Sequence, residues 1–344
     1  VKEIQTMKKM IRRSIAVLCM LAFAGSAVFA QTAFAADLPE LNLKVSQAMM
    51  PKTSLTHQLI EEFAANVTER TEGKVTFKIF GPEIGDWTEL ERMTKRGAVD
   101  MQFNAFDTGL DARWNFFTLP FMVSNWDQVR KVFSKGGIIT ELGEKWAEEK
   151  GLYYLGPWLN NLASLGMQDK VVTNEADAKG LKIRVPPIDT YRCFVDKMGF
   201  SPVTIPWAEA PTAVATGLVD GWVGSGAVYM YDLFRDVAKV MVVTYDSPET
   251  WHVTFNLDKW QKLPEAYQTI ITEEVEKVID KHLDLVEKEE LDNQAKLVEA
   301  GWQIVVPTDE EMAAWKENCL ECWDSYEEIV GKENIEKLLE EVNQ

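Results

Sequence analysis

The chain has 344 residues, enough for two domains of about 100–200 residues each. Its 54 Asp and Glu outweigh 36 Lys and Arg, for a formal net charge of −18. That balance argues against nucleic acid and anionic membrane partners, and any anionic ligand needs a local positive site working against the overall field.

The first element is an export signal over residues 1–35. Lys8, Lys9, Arg12 and Arg13 precede an apolar stretch at 15–29, and Ala33-Phe34-Ala35 offers a small-residue cleavage site. Gly25, Ser26, Gln31 and Thr32 interrupt the stretch below the roughly 18 apolar residues of a membrane anchor. The mature chain is therefore expected to be periplasmic. Residues 41–45 alternate as a strand. Ser54 caps a predicted helix over 55–70, with Leu59, Ile60, Phe63 and Val67 at helical spacing and Gly73 as its stop. A strand at 75–79, a helix at 87–96 and a strand at 99–103 come next. This alternation predicts an α/β chain with a largely parallel sheet.

A second set opens near Leu152. It holds a strand at 181–185, helices at 189–198 and 207–216, and a strand around 220–223. Residues 264–300 keep helical spacing between Pro264 and Gly301, predicting one helix roughly 50 Å long. The acidic runs at 287–290 and 309–311 read as solvated helix faces. Cys193, Cys319 and Cys322 lie beyond the signal, so at least one thiol is unpaired. Cys319-Leu-Glu-Cys322 has redox spacing, but no strand leads into it. His57, His252 and His282 are too scattered to complete a zinc set. Buried cysteines, or one disulfide to Cys193, remain open.

The most telling stretch is Lys182-Ile183-Arg184-Val185, stopped by Pro186-Pro187. It places Arg184 near the carboxyl end of a strand, where open α/β sheets bind ligands. A guanidinium fork there suits a carboxylate; the rival reading is a surface salt bridge. Glu209 and Asp220 are nearby acid/base candidates. The chain has no G-x-S-x-G, H-E-x-x-H or P-loop.

The segments 180–186, 199–202, 205–209 and 213–221 resemble those of periplasmic receptors of tripartite ATP-independent (TRAP) transporters, the C4-dicarboxylate-binding type. Gly81-Pro82 with Gly85, Gly97-Ala-Val-Asp100, Leu119-Pro-Phe121 and Trp260-Gln-Lys-Leu-Pro264 add to the likeness. It runs from about Leu41 to the last helix. The resemblance implies a two-domain periplasmic-binding-protein fold with a hinged cleft and a long helix crossing both domains. Residues 36–160 with 250–289 would form domain I, and 161–249 with 290–344 domain II. It implies membrane permease subunits as partners, no enzymatic activity and no cofactor or metal. Arg184 would take the ligand carboxylate, and Glu209 and Asp220 would be structural.

Four departures from the family narrow the ligand. The second family arginine falls on Ser164, in Asn161-Leu-Ala-Ser164. Gly224 and Ser225 stand where an asparagine often reads polar groups. Trp207 replaces a phenylalanine and Trp87 an acidic residue, while Trp158, Trp222 and Trp251 adjoin other expected pocket loops. Together they point to an aromatic or bulky apolar monocarboxylate, such as an indolyl or phenyl acid, amino acid or 2-oxo acid. An amino-acid ligand would need an acceptor, and Gln47, Asn104, Asn161 or Asp107 could serve. Phe106 completes the expected pocket; Trp260 and Trp315 are assigned to the core. The alternatives are a C4-dicarboxylate or sugar-acid receptor, a receptor feeding a sensor kinase, and a secreted enzyme using Arg184, Glu209 and Asp220.

Overall fold

The computed structural model describes residues 38–48, 50 and 52–343, so the expected export signal lies outside the described residues. The strands are β1 (Leu41–Gln47), β2 (Val75–Phe80), β3 (Met101–Asn104), β4 (Leu152–Met167) and β5 (Lys182–Val185). They continue as β6 (Ser201–Thr204), β7 (Gly221–Trp222), β8 (Val240–Asn256) and β9 (Gln303–Val305). Among the described residues they form one sheet, ordered β2-β1-β3-β8-β4-β7-β5-β6, with β9 beside β8. β1, β2 and β3 pair in parallel, as do β5, β6 and β7. The joints between these sets, β3–β8, β8–β4 and β4–β7, are antiparallel.

The two long strands hold the sheet together. β8 pairs with β3 through Val253 and Phe255 near one end and with β9 through Val240 and Val242 at the other. β4 is buried along nearly all its length, so its sequence lacks the two-residue alternation of a half-exposed strand. Its ladder with β8 is broken in the middle: Leu159 faces Thr250 and Leu162 faces Pro248. Two residues, Asn160 and Asn161, therefore oppose one, Glu249. That is a β-bulge, a device that re-aims side chains out of the ladder.

The helix Leu55–Arg70 forms as its sequence predicts. Ser54 Oγ accepts from the His57 amide, and Leu59, Ile60, Phe63 and Val67 are buried. The long helix Glu265–Glu299 starts after Pro264 and stops before Gly301, whose φ of 84° favours glycine. It feeds Ile271 and Val275 into one core cluster, Val286 into a second and Leu297 into another. Its run at 287–290 is solvated only in part, at Glu287 and Lys288. Glu289 accepts from the Leu55 amide, and buried Glu290 accepts from the Ala227 amide. The run at 309–311 is solvated at Asp309 and Glu310, and Glu311 closes a capping box with Thr308.

A disulfide joins Cys193, on the helix Asp189–Lys197, to Cys322, on the helix Asp309–Val330; Cys319 is a buried free thiol. Trp315 lies in the same cluster, and Trp260 stacks on Tyr153 at 4.2 Å in another part of the core.

Candidate ligand-binding site

A cavity of about 60 Å³ lies beside the β4–β8 bulge. One wall comes from the end of β5 and the turn and helix after it: Arg184, Pro186, Ile188 and Tyr191. Trp87 and Trp207 also line it, and Glu249, Thr250 and Trp251 come from β8. Gly224 lines it with φ 86°, and a Cβ there would stand 3.3 Å from the Tyr191 ring. A side chain at 224 would thus be strained and would crowd the cavity. A larger hollow of about 350 Å³ lies against the long helix, but its cations, Lys288 and Lys296, are exposed.

Arg184 is 2% exposed, which is rare for an arginine. β5 holds its backbone between β6 and β7. Nε donates to the Ile205 carbonyl at 2.8 Å and Nη1 to the Val223 carbonyl at 3.4 Å. The guanidinium lies 5.2 Å from the Trp207 ring centroid. Among the described residues nothing accepts from Nη2, and no carboxylate pairs with the group. Burial lowers its pKa to about 10, leaving it charged at neutral pH. A buried cation without an ion-pair partner is costly to hold in place.

Of the residues expected from sequence, Arg184, Trp87, Trp207, Trp251 and Gly224 come together around this cavity. The others do not line it. Asn104 donates to the Trp87 carbonyl at 2.7 Å and so holds the start of the helix Trp87–Lys95. Ser225 accepts from Trp222 Nε1, and Ser164, fully buried, takes a long bond from the Tyr245 amide. Gln47 closes the turn to Met50. Phe106 is stacked between Trp114 and His252, with centroids at 3.9 and 4.0 Å. Asp107 pairs with Arg92. Trp158 donates to Thr56, and Trp222 stacks on Phe234. Glu209 is exposed, and Asp220 accepts from the Lys182 amide and pairs with Lys170, which makes it a brace for β5.

Glu249 is the residue that sequence reasoning missed. Its Oε2 accepts from Asn160 at 2.8 Å and from Asn161 at 2.5 Å. Burial pushes its carboxyl up to about 7, against the pull of both amides and of Arg184. The sequence carries little signal for it: Glu249 stands in the polar stretch Asp246-Ser-Pro-Glu-Thr250, just before Trp251.

Glu91, Asp246 and Glu290 are likewise pushed up to about 7 by burial. In the unfolded chain these four acids ionise near 3.8–4.5, so between there and 7 the folded chain binds more protons. Their stabilisation is complete below that range and lost as pH rises through 7. His252 and His282, held neutral by burial, oppose this mainly below 6.5. The ligand-free protein should therefore melt at a lower temperature at pH 8 than at pH 6.5. Scanning calorimetry showing the opposite slope would count against buried, protonated acids.

Residues 45–329 match the model of the bacterial extracellular solute-binding protein family 7, DctP. The chain belongs to this family. A solute-binding protein of Chromohalobacter salexigens is 28% identical over 253 residues, covering 71% of this chain and 73% of its own. The 2,3-diketo-L-gulonate-binding periplasmic protein YiaO of Escherichia coli is 24% identical, covering 84% of this chain and 87% of its own. A TRAP periplasmic solute-binding protein of Desulfovibrio salexigens, solved with bound orotic acid, superposes with a TM-score of 0.80 at 24% identity. It covers 88% of this chain and 98% of that one. The fold is the two-domain α/β fold of TRAP receptors, and the protein is a solute-binding receptor, not an enzyme. Such receptors bind small organic acids and work with membrane permease subunits. Among the described residues no helix is long and apolar enough to cross a membrane.

Proposed function

We propose that this receptor works in the periplasm, closes on a monocarboxylate with a flat apolar or aromatic body, and delivers it to permease subunits. The observation that carries the reading is Arg184, buried and without a paired anion in a cavity walled by Trp87, Trp207 and Trp251. Arg184 would take the carboxylate, and the tryptophan faces would take the body by stacking, at about 0.5–1.5 kcal/mol per pair. Ser164 offers no second cation, so a second carboxylate would lose water without gaining a partner. We place domain I at 36–160 with 250–289 and domain II at 161–249 with 290–344. Two of the crossings then fall at the β4–β8 bulge, where a hinge could bend.

About 60 Å³ is room for only a few water molecules. A compact acid suits that space; a phenyl or indolyl acid requires the walls to part. A thermal-shift panel should therefore include both sizes. Phenyl, indolyl or compact apolar monocarboxylates should raise the melting temperature more than succinate or malate does. Trp207→Ala should shrink that shift and leave the unliganded melting temperature within a few degrees. A panel led by the C4-dicarboxylates would replace this reading with a dicarboxylate receptor.

A further inference from the structure

We propose that the ligand carries an ammonium group beside its carboxylate, an α-amino acid in the simplest case, and that Glu249 receives that ammonium. The proposal rests on the reading that Arg184 takes the carboxylate.

Arg184 and Glu249 line the same small cavity, yet they form neither a hydrogen bond nor an ion pair with each other. Two opposite charges set in one buried space would ordinarily close on each other, because each is costly unpaired. Here both are held back. Arg184 is tied to the carbonyls of Ile205 and Val223. Glu249 is held by Asn160 and Asn161, the two residues that the bulge turns out of the β4 ladder.

Asn160 is itself fixed: its amide also donates to Tyr229 Oη at 2.7 Å, and its carbonyl accepts from Thr56. Both asparagines use Glu249 Oε2. Among the described residues Oε1 has no donor. Thr250 Oγ1, next in the chain and on the same cavity, is buried with no hydrogen-bond partner. A free carboxylate oxygen and a free hydroxyl suit an ammonium, which brings three donors. The tryptophan faces would favour the same charge. A zwitterion also has no net charge for the acidic chain to repel.

The test is calorimetric binding of α-amino acids against their des-amino counterparts, from alanine against propionate to tryptophan against 3-indolylpropionate, at pH 6 and pH 8. In at least one pair the amino member should bind tenfold tighter or better at pH 8. Its affinity should rise from pH 6 to pH 8, as the Glu249 carboxyl ionises, while that of the des-amino member falls or stays level. Arg184 stays charged over this range, and Tyr191 and Tyr229, both raised, stay neutral. Asp246, on the same strand, and Glu290, on the long helix beyond Asn161, titrate near Glu249. Glu249→Gln isolates its part: the ratio of amino to des-amino affinity should fall towards one, and that ratio should lose its pH dependence. If that variant does not fold, the wild-type pairs decide alone. Carboxylates that bind with no gain from the amino group at either pH would overturn the ammonium proposal only. If neither series binds, the carboxylate reading fails, and this inference with it.

Discussion

Arg184→Ala is expected to weaken binding of the acid ligand by about 2–5 kcal/mol, between about thirtyfold and a few thousandfold. The loss leaves a desolvated carboxylate facing apolar tryptophan surface. It is not only a loss of charge: the planar fork is anchored at Nε and Nη1, so its free edge is held in one orientation. Arg184→Lys should therefore also weaken binding, because an ammonium on a flexible stem cannot reproduce two parallel bonds. The unliganded fold should survive both changes, since removing a buried, unpaired charge offsets the two carbonyls left without a donor. Calorimetry is the check, with melting curves to confirm folding. Wild-type affinity in both variants would end the carboxylate role.

The second large effect concerns stability. The Cys193–Cys322 bridge spans a sequence separation of 129 and ties the helix Asp189–Lys197, which carries Tyr191 to the cavity, to the helix Asp309–Val330. Closing a loop that long is worth about 4–5 kcal/mol in the chain-entropy account. Cys193→Ala with Cys322→Ala should lower the unfolding free energy by about 2–5 kcal/mol, read as a shifted urea midpoint. Cys319 should not substitute in the bridge. Burial pushes its thiol up to about 12, which keeps it protonated and unreactive. An unchanged midpoint would mean that the bridge adds nothing beyond the packing around Trp315.

Much of the frame was legible in the sequence because its elements are amphipathic. Leu59, Ile60, Phe63 and Val67 give the first helix away, and Pro264 and Gly301 bracket the long one. Arg184 stood out because two prolines end its strand beside it. The two long strands did not show. β4 and β8 are buried on both faces, so no alternation betrays them. The bulge could not be read either, because it depends on register between Leu159 and Thr250, residues far apart in the chain. Glu249 was missed for the same reason: its meaning comes from Asn160 and Asn161 across the sheet. The acidic run at 287–290 misled because a charged helical face looks solvated until a second element caps onto it, as Leu55 and Ala227 do here.

The most direct test is mass spectrometry of the small molecules released when freshly purified wild-type and Arg184→Ala protein are denatured. The account predicts an unaltered small molecule carrying one carboxylate, recovered from the wild type in near-stoichiometric amount and lost from the variant. Recovery of the same molecule from both proteins, or of one without a carboxylate, would contradict it.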